Sequence, residues 1–140
     1  MQIQRIQTLY LLLAIVAMVL FIVIPFGFLG EMSLSGSRPS LLIPSCGAIV
    51  VIVAAIFTYK KFSLQRTLVV LSLFATAALI VTVVYMMTIG FYELLDVNSA
   101  LKPVWSFGGA MLVIAFVALA MALKHIKADH KLLRSYDRLR

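Results

Sequence analysis

Four long stretches without a charged residue constrain this chain more than any other feature of its sequence. An α-helix needs roughly 20 residues to cross about 30 Å of hydrocarbon, and each stretch reaches that length. We therefore predict an all-α polytopic membrane protein: one membrane domain over residues 1–140, with four transmembrane helices in a bundle and a basic C-terminal helical extension. The predicted spans are residues 6–30, 40–59, 67–92 and 103–123, followed by a basic tail at 124–140.

The composition agrees with a membrane protein. Hydrophobic residues make up 64% of the chain and charged residues 12%, and the mean hydropathy is +1.12. Soluble globular domains contain about a quarter charged residues, so their cores cannot use this much apolar surface in a chain of this length.

The Lys and Arg residues are distributed unevenly between the two ends of the spans. Ten of the twelve lie before the first span, between the second and third spans, or in the tail. The other two, Arg38 and Lys102, lie in connections that also contain acidic residues. Because basic residues concentrate on the cytoplasmic side of membrane proteins, we expect both termini and the middle connection to be cytoplasmic.

The tail contains five basic residues at intervals of 3, 4, 3 and 4, and such intervals place them on one face of a helix. They are Lys124, Lys127, Lys131, Arg134 and Arg138. A narrower apolar stripe runs beside them, formed by Ala128, Leu132, Tyr136 and Leu139.

Three interpretations of the tail remain open. The helix lies on the membrane with its cations toward anionic head groups, or it is a solvated extension that enforces topology, or it is a docking surface for a protein. Asp129 and Asp137 reduce the basic character of the tail. No nucleic-acid-reading motif is present, so we expect no nucleic-acid partner.

The spans contain no Asp, Glu, Lys, Arg or His. Histidine-ligated haem and carboxylate proton relays need such residues inside the bundle. We therefore expect no catalytic residues, no cofactor and no metal, and predict that the protein is not an enzyme. The hydroxyl groups of the third span are expected to bond to helix carbonyls or across helices; they belong to Ser72, Thr76, Thr82, Tyr85 and Thr88.

Small residues in the fourth span predict close helix packing. Ala118 and Ala122 are four residues apart, and Ser72 and Thr76 form a similar pair in the third span. Within lipid, the hydrophobic effect does not drive helices together. Small residues at this spacing instead let helix backbones approach each other closely.

The segments IQRIQTLYLLLA (3–14) and LLRSYDRLR (132–140) resemble the two ends of an uncharacterised group of small bacterial membrane proteins, domain of unknown function 4293. The resemblance implies four spans and a multi-pass protein of the bacterial inner membrane, and the Lys and Arg distribution adds the expectation that both ends are cytoplasmic. It implies no activity, so no functional residue is carried over.

The resemblance draws attention to the two ends of the chain, which we expect to form a joint cytoplasmic platform. In this hypothesis Asp137 pairs with Arg5 across the bundle or with a neighbouring arginine of the tail. The candidate lipid or partner contacts are Arg5, Lys124, Lys127, Lys131, Arg134, Asp137 and Arg138.

The sequence favours a non-catalytic scaffold or accessory subunit that acts through helix packing and the basic tail. Its expected partners are membrane lipids, including anionic head groups on the cytoplasmic side, and a protein partner or further copies of the chain. The alternative is a small-solute transporter or channel-like oligomer. A water-accessible cavity beside Thr82 and Tyr85 would favour that alternative.

Overall fold

The computed structural model describes residues 2–29, 32–36, 38–95 and 103–139. Four helices dominate it, and all four are long and apolar enough to cross a membrane, as predicted. In chain order they are α1 (Gln2–Val23), α2 (Pro39–Phe57), α3 (Phe62–Leu95) and α4 (Phe107–Arg138), and three short strands are β1 (Pro25–Leu29), β2 (Met32–Ser35) and β3 (Pro103–Trp105).

The bundle has two chemically different ends. At the basic end, α1 and α3 begin, α2 ends, and α4 continues beyond the apolar part of the bundle. At the sheet end, the three strands form an antiparallel sheet in the order β2-β1-β3.

The strands correct two of the predicted spans. Helix α1 ends at Val23 because Pro25 lacks an amide N–H and also disfavours helical geometry in the residue before it. Residues 25–29, predicted to be part of the first span, therefore form β1, and the fourth helix begins at Phe107, after β3. The remaining 19 residues from Arg5 to Val23 still extend about 29 Å, enough to cross the hydrocarbon.

A bulge in β1 ties the sheet to the helices. The register between β1 and β2 shifts between Pro25 and Gly27, so Phe26 is the extra residue. Its side chain is fully buried and stacks on Phe21 of α1, with ring centroids 5.9 Å apart. Its carbonyl accepts a hydrogen bond of 3.0 Å from the amide of Ser106, which fixes the start of α4 against the sheet.

The core lies along the contact between α1 and α4, the most extensive helix pair in the structure. Both helices present residues at alternating intervals of three and four to this contact, the spacing of a left-handed antiparallel pair. From α1 come Leu11, Ala14, Met18 and Phe21, and from α4 come Leu112, Ala115, Leu119, Ala122 and Ile126, all buried. Ala118 is buried too, so both residues of the predicted small-residue pair lie in the buried cluster with Leu11 and Ala14.

Candidate functional site

The extension of α4 is one uninterrupted continuation of its apolar part. Residues 124–138 remain helical and reach about 22 Å beyond residue 123. Sharp bends in helices arise at proline, at glycine or at inserted residues, and α4 contains neither proline nor glycine after Gly109. A helix lying flat on the membrane would need such a bend, so this continuity favours an extension that projects away from the bundle.

The first turns of the extension pack against α1. Asp129 is 8% exposed, and its carboxylate accepts a hydrogen bond from the side-chain amide of Gln7, which is 2% exposed. One turn earlier, the ring of His125 stacks on Tyr10, with centroids 5.4 Å apart and planes inclined by 14°. We call these four residues the terminal joint.

Asp129 therefore has a different role from the one expected for a charge in a solvated tail. A carboxylate taken out of water costs free energy unless hydrogen bonds replace its hydration. The amide of Gln7 supplies one such bond, between residues 122 positions apart in the chain. The terminal joint thus holds the two ends of the chain together through a buried polar contact.

The predicted pairing of Arg5 with Asp137 is not present, and no ion pair joins them among the described residues. Helices α1 and α4 are antiparallel, and their register is fixed where Gln7 meets Asp129. From that level Arg5 lies only about 3 Å further along the helix axis, whereas Asp137 lies about 12 Å further. The two ends do meet, but through Gln7 and Asp129.

The five predicted contact cations of the extension share one solvent-exposed face. Their spacing places them about half a turn away from Ala122, Ile126 and Asp129, the residues that face α1. The cations therefore take no part in the packing of α4 on α1, and their role as lipid or partner contacts stays a prediction. They are Lys124, Lys127, Lys131, Arg134 and Arg138.

The face of α4 that packs on α1 continues beyond the joint. The buried positions Ala122, Ile126 and Asp129 are followed at the same alternating spacing by Leu133 and Tyr136. Leu133 is 47% exposed and Tyr136 is 70% exposed. We call these two residues, with the neighbouring exposed Leu132 and Leu139, the open seam.

A cavity of about 600 Å³ lies at the basic end, beside α1 and the connection from α2 to α3. Its polar lining residues are Arg5, Gln7, Thr8, Tyr59 and Gln65, and its apolar lining residues are Leu9, Leu12, Ile56, Phe57 and Phe62. Gln65 is 4% exposed, and its side-chain oxygen has no hydrogen-bond partner in the described structure.

Four of the five hydroxyl groups considered in α3, those of Ser72, Thr76, Thr82 and Thr88, bond to carbonyls of their own helix, one of the two predicted arrangements. Ser72 and Thr76 are fully buried and donate to the carbonyls of Val69 and Leu73, at 2.8 and 2.9 Å. Thr82 donates to the carbonyl of Ala78 at 2.8 Å. Neither Thr82 nor Tyr85 lines the cavities found at the basic end, at the sheet end or between α1 and α4.

Neither the terminal joint nor the buried Gln65 was predicted from the sequence. The alternating spacing from Ala115 through Ile126 reaches Asp129, so that pattern is a signal for its burial. No signal in the sequence connects Gln7 with Asp129. In the part of the chain that the structure describes, no group of three or more His, Cys, Asp or Glu residues is placed to hold a metal ion.

Comparison with known proteins identifies a family. No curated protein and no solved structure matches the chain. The family profile described as "Domain of unknown function (DUF4293)" matches residues 30–139. This range contains α2, α3 and α4 and nearly all of the LLRSYDRLR motif, whereas the IQRIQTLYLLLA motif precedes it. The match covers most of the sequence, and the chain therefore belongs to the family described as domain of unknown function (DUF4293).

Proposed function

We propose that this protein is a non-catalytic accessory subunit of the membrane, which docks a protein partner on the projecting end of α4. The observation that carries the proposal is the open seam. Leu133 and Tyr136 continue the face that α1 covers elsewhere, yet all of residues 131–139 are exposed. An apolar helical face at this spacing is a surface onto which another amphipathic helix packs.

The charge of the α4 extension indicates the chemistry of the partner. The exposed cations Lys131, Arg134 and Arg138 lie on the side of the helix away from Leu133 and Tyr136 and give the extension a net positive charge. Two copies in one membrane would bring two extensions of like charge side by side, which opposes self-association through this face. An acidic amphipathic helix would pack on the apolar stripe and be attracted by the positive charge of the extension. We therefore propose a different protein as the partner.

We propose further that the basic end faces the cytoplasm of a bacterial inner membrane. The distribution of Lys and Arg supports this orientation. In a Cys46→Ser background, a cysteine replacing Ser135 is expected to react with a membrane-impermeant maleimide only after the inner membrane is opened. A cysteine replacing the exposed Val104 at the sheet end is expected to react in intact spheroplasts. The reverse pattern would contradict the orientation.

The docking proposal is tested by site-specific photo-cross-linking in native membranes. A photoreactive residue at Leu133 is expected to give one protein adduct of defined mass. At Ser135, two residues on and nearly opposite on the helix, the yield is expected to be at least about fivefold lower. An adduct of twice the chain's mass would indicate self-association, and lipid adducts alone would indicate a membrane-surface helix. Either result would overturn the proposal.

Charge reversal provides the matched control for that experiment. Lys131→Glu with Arg134→Glu is expected to abolish the adduct from Leu133, because the substitutions replace positive charge that attracts an acidic partner with negative charge that repels it. Lys61→Glu with Arg66→Glu makes the same change at the same end of the bundle, away from the open seam, and is expected to leave the adduct intact. Equal loss in both double variants would show that only overall charge matters.

A further inference from the structure

The cavity at the basic end combines three features that together indicate the chemistry of a ligand. Arg5 contributes a cation that has no ion pair among the described residues. Gln65 contributes a buried acceptor without a partner. Leu9, Leu12 and Phe57 contribute apolar walls, and these side chains are 66%, 50% and 77% exposed on the outside of the bundle, where lipid acyl chains lie.

The unpartnered oxygen of Gln65 is the most informative of these features. Buried polar groups in proteins are nearly always hydrogen-bonded, because an unsatisfied one costs free energy. Gln65 lines the cavity, so a ligand there can supply the missing donor. Since an amide oxygen only accepts, that donor is an O–H or N–H group.

The charges at the cavity specify the rest of the ligand. The guanidinium of Arg5 can hold a phosphate through two parallel hydrogen bonds. A second cation lies close by, because Lys60 places its Nζ 5.9 Å from the centroid of the Tyr59 ring, which also lines the cavity. The cations and the apolar lining residues together favour a ligand that has both an anionic group and a hydrocarbon part.

We propose that this cavity binds an anionic glycerophospholipid whose head group ends in hydroxyl groups, as in phosphatidylglycerol. The phosphate is held by Arg5, a head-group hydroxyl donates to the oxygen of Gln65, and the acyl chains run along Leu9, Leu12 and Phe57. The apolar walls assign the ligand to the membrane, since a free glycerol phosphate would leave them without a partner. The site is independent of the docking face on α4.

The test is a lipid titration of the purified full-length protein in detergent, followed by native mass spectrometry. Phosphatidylglycerol is expected to bind about tenfold or more tightly than phosphatidylcholine, whose head group has no net negative charge and no hydrogen-bond donor. Glycerol 1-phosphate is expected not to bind in the same concentration range. Equal affinity for the two lipids, or binding of glycerol 1-phosphate as tight as that of phosphatidylglycerol, would overturn the proposal.

Two variants with one control assign the binding to these residues. Arg5→Gln is expected to weaken phosphatidylglycerol binding about tenfold, whereas Arg66→Gln, which removes the same charge outside the cavity, leaves it unchanged. Gln65→Leu is expected to reduce the preference over phosphatidylcholine to the part that Arg5 supplies, while the lipid-free protein melts at an equal or higher temperature, because a buried unpaired acceptor is removed. Equal weakening by both arginine variants, or an unchanged preference in Gln65→Leu, would refute the site.

Discussion

Replacing Gly108 with alanine is expected to lower the free energy of unfolding by about 2–3 kcal/mol. A Cβ atom at this position would lie 2.5 Å from the carbonyl oxygen of Ile24 and 2.6 Å from that of Pro25. Both obstacles are backbone atoms at the junction of α1 and β1, so no side chain can rotate to make room. The clash can be relieved only if α4 moves away from the sheet end, and this movement also breaks the contact of α4 with Phe26.

The control for this prediction is a second glycine in a membrane-crossing helix. Gly47 lies within α2, and a Cβ atom there would meet nothing within 4 Å. Alanine exceeds glycine in helix propensity by about 1 kcal/mol, so Gly47→Ala is expected to maintain or raise stability. Thermal unfolding of both variants in the same detergent measures the difference. Equal shifts in melting temperature would mean that the sheet end does not hold α4 closely.

The sheet end also shows where prediction from the sequence stops. The apolar segment PFGFL (25–29) has the same hydropathy signature as the helix that precedes it, and only Pro25 indicates a boundary. Its partner β3 begins at Pro103, so the pairing depends on a contact between distant parts of the chain. Hydropathy reports that a segment is apolar. Whether that segment is a helix or a strand depends here on its neighbours.

The four helices could be predicted because length and hydropathy are local properties. The small-residue packing of α4 could be predicted for the same reason, since Ala118 and Ala122 are four residues apart. The terminal joint and the basic-end cavity depend on which helix lies beside which. A net charge count treats Asp129 as one more solvated residue, although the register of α4 on α1 buries it. Gln65 is similar, since only the packed structure reveals an acceptor without a partner.

The terminal joint gives the second large expected effect. Gln7→Leu removes the donor to Asp129 and leaves a buried carboxylate without its hydrogen bond, which is expected to cost about 2–3 kcal/mol of unfolding free energy. Asp129→Asn keeps an acceptor for Gln7 and removes the charge that burial disfavours, so it is expected to be at least as stable as the parent. Asp137→Leu changes an exposed acid of the same helix and is expected to have little effect.

The double variant Gln7→Leu with Asp129→Leu decides what the joint contributes. When both partners of a buried polar contact are replaced by apolar groups, the change is often nearly neutral, because neither is left unsatisfied. We therefore expect the double variant to recover most of the stability lost in Gln7→Leu, as measured by thermal unfolding in one detergent. Additive losses would show that the two side chains are not coupled. Stability that recovers while the adduct from Leu133 is lost would assign the buried pair a role in orientation. The polar pair would then hold the extension in one direction, whereas an apolar contact at the same place would not fix that direction.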